Sequence, residues 1–179
     1  MIIDLTKPIY DGMPVYPGDP QVSLIPISSI GKDGYENHLF TTSMHSGTHI
    51  DGPRHFIEGQ PYISDFKLDN WIGTGRMMMP KKPFIYQGET ILFIQTNTVL
   101  QEELIDFILK HPIKVIVIER ESPDEAPYDT HQRLLSAGVF IVENAIHMNQ
   151  IPLNQPFKAY IIPLNIHADS SPCRVFVEI

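Results

Sequence analysis

Residues 45 to 55 read HSGTHIDGPRH, which gathers His45, His49, Asp51 and His55 into eleven positions among small residues and one isoleucine. In an extended segment His49 and Asp51, two apart, point the same way, and a turn at Ser46-Gly47-Thr48 can bring His45 round beside them. Two imidazoles and a carboxylate then converge on one ion. That set suits Zn²⁺ or Mn²⁺ with positions left for water, and it contains no thiolate of the kind that closes a structural zinc site. An open site implies catalysis more than scaffolding. Taken singly, each of these histidines is as well read as a surface or core residue, and eight histidines in 179 residues supply some chance clustering. Taken together they are read as a metal site.

A second pair lies downstream. His131 shares a helical face with Leu134 and Leu135, which turns its imidazole toward the core. In the run Val139 to Glu143, alternation puts Glu143 on the side of Val139 and Ile141, at the carboxyl end of a strand that reads as wholly buried. Ligand sites in α/β sheets favour that end. An unpaired buried carboxylate costs several kcal/mol, so Glu143 needs either a cation or protonation, and the plain structural reading is a salt bridge with Arg133 or Arg174. Spacing alone does not choose between these, nor between a ligand and a satisfied core histidine at His131.

The elements that must position these groups change character along the chain. The first eighty residues hold most of the 11 glycines and many of the 16 prolines, interleaved with short runs such as Val22 to Ile27 and Leu39 to Met44, so this half reads as short strands and tight turns. Thr90 to Thr96 then predicts a strand and Val99 to Lys110 a helix, with Thr98 and Gln101 in capping-box form and Pro112 beyond its end. Strand Ile113 to Ile118 follows, then a helix from Thr130 to Ala137 with Asp129 as N-cap and Gly138 as terminator, and a strand from Val139. Strands without an exposed face are covered by helices. The expectation is one layered α/β domain over residues 1–179, with a mixed central β-sheet or barrel-like core flanked by helices.

Bulk composition excludes several classes. Thirteen Lys plus Arg stand against 21 Asp plus Glu, for a formal charge of -8, with no dense basic run, so no nucleic-acid partner is expected. A single cysteine, Cys173, rules out an intramolecular disulfide and suits a reducing cytoplasm. Asp4 and two prolines interrupt the start where a signal peptide needs an apolar stretch, and no later run has spanning length, so a soluble protein with no membrane partner is expected. The sequence has no GxSxG elbow, and Cys173 has no base beside it, which disfavours a covalent serine or cysteine mechanism.

The signature HSGTHIDGPRHF, His45 to Phe56, resembles that of the cyclase superfamily, which includes bacterial kynurenine formamidases and isatin hydrolases and carries a His-x-Gly-Thr-His-x-Asp-x-Pro-x-His-Phe hallmark. The likeness extends from IDLTKPIYDGMPVYPGDP through LDNWIG to ESPDEAPYDTHQRLLSAGVFIVEN and the closing PLNIHADSSPCRVFVEI. It implies a swivelling β/β/α fold, often dimeric or tetrameric, hence a homodimer or homotetramer here. It also implies one or two Zn²⁺ or Mn²⁺ ions per subunit: one held by His45, His49 and Asp51, with Asp51 bridging to a second on His131 and Glu143. His55 would be the catalytic acid and base. Three departures stand out: an apparent shortening around residues 80 to 100, Glu119 where the family commonly has Asp, and Ser170 in place of the glycine of an Asp-Gly-Ser-Pro segment.

The chemistry implied is attack of metal-activated water on the carbonyl of a small amide, formamide or lactam, a C–N bond outside peptides, with His55 passing the proton to the departing nitrogen. The competing readings are a metal-binding member without catalysis and a metal-dependent lyase or dehydratase. Thr48 and Ser46 can support the imidazoles, and Tyr16, Pro17 and Phe56 can form an aromatic wall, while each serves equally well in turns or core.

Overall fold

The structure, a computed structural model, describes residues 1–153 and 155–179. In chain order it holds β1 (Ile2–Asp4), β2 (Ser23–Ser28), the single turn α1 (Ile30–Asp33), β3 (Asn37–Thr41), β4 (His49–Asp51), β5 (Ile72–Met78), β6 (Ile91–Ile94), α2 (Glu102–Lys110), β7 (Val115–Ile118), α3 (Asp129–Ser136), β8 (Phe140–Glu143), β9 (Phe157–Pro163) and β10 (Ser170–Glu178). Among the described residues no helix is long and apolar enough to cross a membrane.

Strands β5 to β8 pair in parallel, and antiparallel pairings of β4 with β8 and β10, and of β9 with β5 and β10, complete the sheet. Because β10 meets both β4 and β9, seven strands close into a barrel-like ring, with β1 attached to β10 outside it. The expected mixed sheet is therefore the barrel-like alternative. Closure leaves two apolar layers. Ile50, Phe93, Val117, Val142 and Val175 fill the interior, while Leu92, Ile116 and Ile141 face outward beneath Ile105 and Ile108 of α2 and Leu134 and Leu135 of α3. Strands buried on both faces need apolar residues at every position, which is why these runs lack alternation. Each fully buried aliphatic side chain contributes about 1.5–3 kcal/mol.

Two helix starts differ from the sequence reading. Helix α2 begins at Glu102, because Thr98 bonds Thr96 and Gln101 bonds the Val99 carbonyl instead of forming a capping box. In α3, Asp129 lies within the first turn and Tyr128 stands at the cap with φ 67°, while the Asp124 carboxylate accepts the N–H groups of Thr130 and His131 from outside the helix. Between β5 and β6 the chain crosses without a helix, where parallel strands usually use one. Phe84 and Tyr86 of this loop pack edge-on to Phe107 of α2.

Candidate metal centre

Ile50 points into the barrel, so its neighbours His49 and Asp51 on β4 point out, toward α3. In β8, Val142 points in and Glu143 points out. The register sets His49 directly opposite Glu143, and cross-strand neighbours of this kind stand side by side on one face. His49 Nε2 accordingly lies 3.3 Å from Glu143 Oε2 and 3.6 Å from Asp51 Oδ1. The turn before β4 depends on Gly47, whose φ is 68° and whose added Cβ would lie 3.2 Å from Ile9. It brings His45 Nδ1 to 3.0 Å from Asp51 Oδ1.

Helix α3 supplies the remaining imidazole. His131 Nε2 lies 3.2 Å from Glu143 Oε1 and 3.8 Å from Asp51 Oδ2. On its other side Nδ1 meets Asp124 at 2.5 Å, so the carboxylate that caps α3 also orients the ring. Arg133 pairs with Glu102 and Asp106, and Arg174 with Asp4. The salt-bridge alternative for Glu143 is thereby overturned.

After β4, Gly52 lets the chain pass against β10. Its N–H donates to the Asp169 carbonyl at 3.0 Å, and a Cβ there would lie 2.8 Å from that oxygen. This close passage places His55, at the end of a short 3-10 turn, beside the Asp169 side chain. Asp169 Oδ2 is 3.1 Å from His55 Nδ1 and 3.2 Å from His45 Nε2. Neither Asp124 nor Asp169 was singled out from the sequence, though each sits in a segment quoted for the resemblance.

The structure thus brings His45, His49, Asp51, His55, His131 and Glu143 together, but it divides them differently from the sequence expectation. The ligand atoms of His49, Asp51 and Glu143 all lie within 4.8 Å of one another, as do those of His45, Asp51 and His55. Asp51 is common to both groups. Burial opposes charge on His45, yet the carboxylates of Asp169 and Asp51 on either side push its pKa up to about 10. His131 is likewise pushed up to about 9 against burial, by Asp124 and Glu143. Asp51 is held below the usual carboxylate range: burial would raise it, and the charges of His49 and His45 prevail. Hydrogen bonds from His45 and His55 hold Asp169 low.

The donor chemistry fits a divalent cation. His49 Nε2 and Asp51 Oδ1 are both buried, and although imidazole and carboxylate atoms stand 3.0 to 3.6 Å away, none is aligned as a hydrogen bond to them; such atoms cost about 1–3 kcal/mol each unless something else satisfies them. Imidazole and carboxylate together suit zinc or manganese. The cluster opens on a cavity of about 300 Å³. Tyr16, Phe56 and Tyr128 line it, whereas Pro17 does not. Thr48 is buried and joins strands, accepting from Lys7 N–H and donating to the Asn144 carbonyl, and Ser46 bonds Ser43.

The family described as putative cyclase matches residues 3–91, which include the whole signature. A kynurenine formamidase from Geobacillus thermodenitrificans is 27% identical over 198 aligned positions, covering 96% of this chain and 94% of the relative. One from Paracidovorax citrulli is 24% identical, covering 99% and 96%. Alignments longer than 179 residues mean that these relatives carry segments this chain lacks. Among solved structures, a potential metal-dependent hydrolase with cyclase activity superposes with a TM-score of 0.81 at 23% identity, over 99% of this chain and 96% of the other. Isatin hydrolase A from Labrenzia aggregata does so at 0.78 and 19%, over 99% and 93%. Sequence kinship runs the length of the chain and the barrel is shared with it, so the chain belongs to the cyclase superfamily.

Proposed function

We propose that this chain is a metal-dependent hydrolase acting on the carbonyl of a small amide, formamide or lactam, the type of activity for which its kynurenine formamidase and isatin hydrolase relatives are named. The observation that carries the reading is the buried convergence of His49, Asp51 and Glu143 with two ligand atoms lacking partners. With His45 and His131 these residues would hold one or two Zn²⁺ or Mn²⁺ ions. A divalent ion bound there would lower the pKa of a water to about 7 and polarise a carbonyl.

His55 moves the proton. Its Nδ1–H donates to Asp169 at 3.1 Å, which leaves Nε2 as the basic nitrogen. Nε2 takes the proton of water as the oxygen bonds to the carbonyl carbon, then gives it to the nitrogen as the C–N bond breaks, yielding an acid and an amine. Tyr16, Phe56 and Tyr128 form a wall that seats an apolar body. Cys173 stays a thiol, pushed up by burial in β10.

The β2–β3 hairpin supports assembly of two copies of the chain. Every β3 residue is exposed, and Ile25, Ile27, Ile30, Tyr35, Leu39 and Phe40 are between 43% and 68% exposed. An isolated two-stranded hairpin is marginal in water. These six side chains offer on the order of 600 Å², near the roughly 800 Å² per partner of a stable interface.

Chelation followed by addition of Zn²⁺ or Mn²⁺ tests the activity, with metal counted by elemental analysis and turnover followed on formanilide, N-formylkynurenine and isatin. Turnover is expected to return with the metal and to place solvent oxygen in the product. Recovery of thermal stability alone would leave a metal-binding protein, and a product free of solvent oxygen would leave a lyase.

A further inference from the structure

The cavity wall includes one residue that the hydrolytic chemistry does not use. Among the described residues Lys7 is the sole lysine or arginine on the lining, which also carries the carboxylates of Asp19 and Glu121 beside the site's histidines and carboxylates and the aromatic wall. It is half-buried. Among the described residues the lysine and arginine ion pairs are those of Arg76, Arg133 and Arg174, so no carboxylate within ion-pair distance neutralises Lys7. Asp19, on the same lining, takes a hydrogen bond from Ser43 instead.

The main chain of Lys7 is tied to the site through Thr48. Its N–H donates to Thr48 Oγ1 at 2.8 Å, and the same hydroxyl donates to the Asn144 carbonyl at 2.7 Å. Thr48 immediately precedes His49, and Asn144 immediately follows Glu143. The lysine is therefore anchored one residue from each of two facing donors on adjacent strands, and Pro8 after it favours an extended backbone at Lys7. The side chain that this anchorage holds at the cavity wall carries an ammonium, and an ammonium there gains from an anion that arrives with the ligand.

We infer that Lys7 receives a carboxylate of the substrate, so that the preferred amides are aromatic or apolar amides bearing an acid group away from the scissile bond. This rests on the hydrolase reading above: the aromatic wall takes the body, the donor cluster faces the amide, and Lys7 fixes which end enters.

The test uses metal-loaded wild type, Lys7→Met, which keeps length without charge, and Lys7→Arg, which keeps charge. The kcat/KM for 4-formamidobenzoate divided by that for formanilide is expected to exceed ten in wild type, to fall roughly tenfold to a hundredfold in Lys7→Met, and to recover in Lys7→Arg, as loss of one hydrogen bond to a charged group implies. Calorimetric binding of 4-aminobenzoate, which needs no turnover, is expected to weaken by a similar factor in Lys7→Met. Equal ratios and equal binding in wild type and Lys7→Met would overturn the inference while leaving the hydrolase reading intact. Lys7-dependent binding of 4-aminobenzoate without turnover of either amide would uphold the carboxylate site and overturn the hydrolase reading.

Discussion

One oxygen of Asp169 serves two imidazoles, His45 Nε2 at 3.2 Å and His55 Nδ1 at 3.1 Å. Replacing it by asparagine keeps the shape and removes the charge that fixes both rings. Supporting carboxylates of this kind affect activity or affinity by roughly 10–100-fold, so Asp169→Asn is expected to lower kcat within that range. His55→Ala removes the proton carrier itself and is expected to cost roughly 10²–10⁴ in kcat while bound metal, counted by elemental analysis, is retained. Asp51→Ala is expected to lose the metal as well, since both donor groups share that residue. Full activity of the His55 variant would refute its role. The central donors were legible because four of them crowd into one short segment. Asp169 was not, because it lies 114 residues beyond His55 in a polar stretch with no period of its own, and only pairing of β10 with β4 brings it in. Asp124 escaped for a related reason: its target is the N-terminal turn of α3 and the ring of His131, a local contact that no capping pattern announces.

At the scale of elements, the outward face of β4 and β8 decides the site. Alternation in the sequence places Glu143 on the side of Val139 and Ile141, and in the structure that side faces the helices. What alternation cannot provide is register. A shift of one residue between β4 and β8 would set Ile50 against Glu143 and scatter the donors. The helix starts were misjudged because threonine and aspartate satisfy several local backbone patterns equally well, and tertiary partners chose among them. Gly52 is where element geometry bears most directly on chemistry. An added Cβ would stand 2.8 Å from the Asp169 carbonyl oxygen, a backbone atom with no rotamer to relieve it. Gly52→Ala is therefore expected to destabilise the protein by about 1–3 kcal/mol, read from urea unfolding, and to depress kcat in the surviving folded protein, because His55 and Asp169 both move. Gly31→Ala, whose Cβ meets nothing within 4 Å, serves as the control and is expected to leave both readings near wild type.

Over the whole molecule, closure of the barrel was only one of two shapes the sequence allowed, since β9, the chain neighbour of β10, must also join β5, which sets Tyr160 opposite Ile72 across a sequence separation that no local pattern records. Closure concentrates the titratable groups on one outer face, and this sets how the metal-free protein responds to pH. His45 and His131 have folded pKa values raised from 6.5 to about 10 and about 9, so their contribution is complete below pH 6.5 and is lost as pH rises through those values. Asp51 and Asp169 are lowered from 3.8, so theirs is complete above that pH and is lost as pH falls below it. Chelated protein is expected to have its highest Tm between these limits and to lose stability toward pH 10. Protein loaded with Zn²⁺ is expected to lose less on the alkaline side, because the metal competes with those same protons. A Tm of the chelated protein that keeps rising through pH 9 would contradict the pairing of imidazolium with carboxylate. The hairpin raises a separate question at this scale. Ile27 and Leu39 are 59% and 54% exposed on the β2–β3 arm, and a closed pair of identical arms covers both at once. Ile27→Glu with Leu39→Glu places two charges per arm in that contact without touching the barrel. Light scattering behind a sizing column is expected to give a dimer or a multiple of it for wild type, and the mass of one chain for the double variant, with thermal unfolding of the barrel retained. An unchanged assembly would move the interface elsewhere, and a wild type that runs as a single chain at micromolar concentration would leave the arm to a different partner.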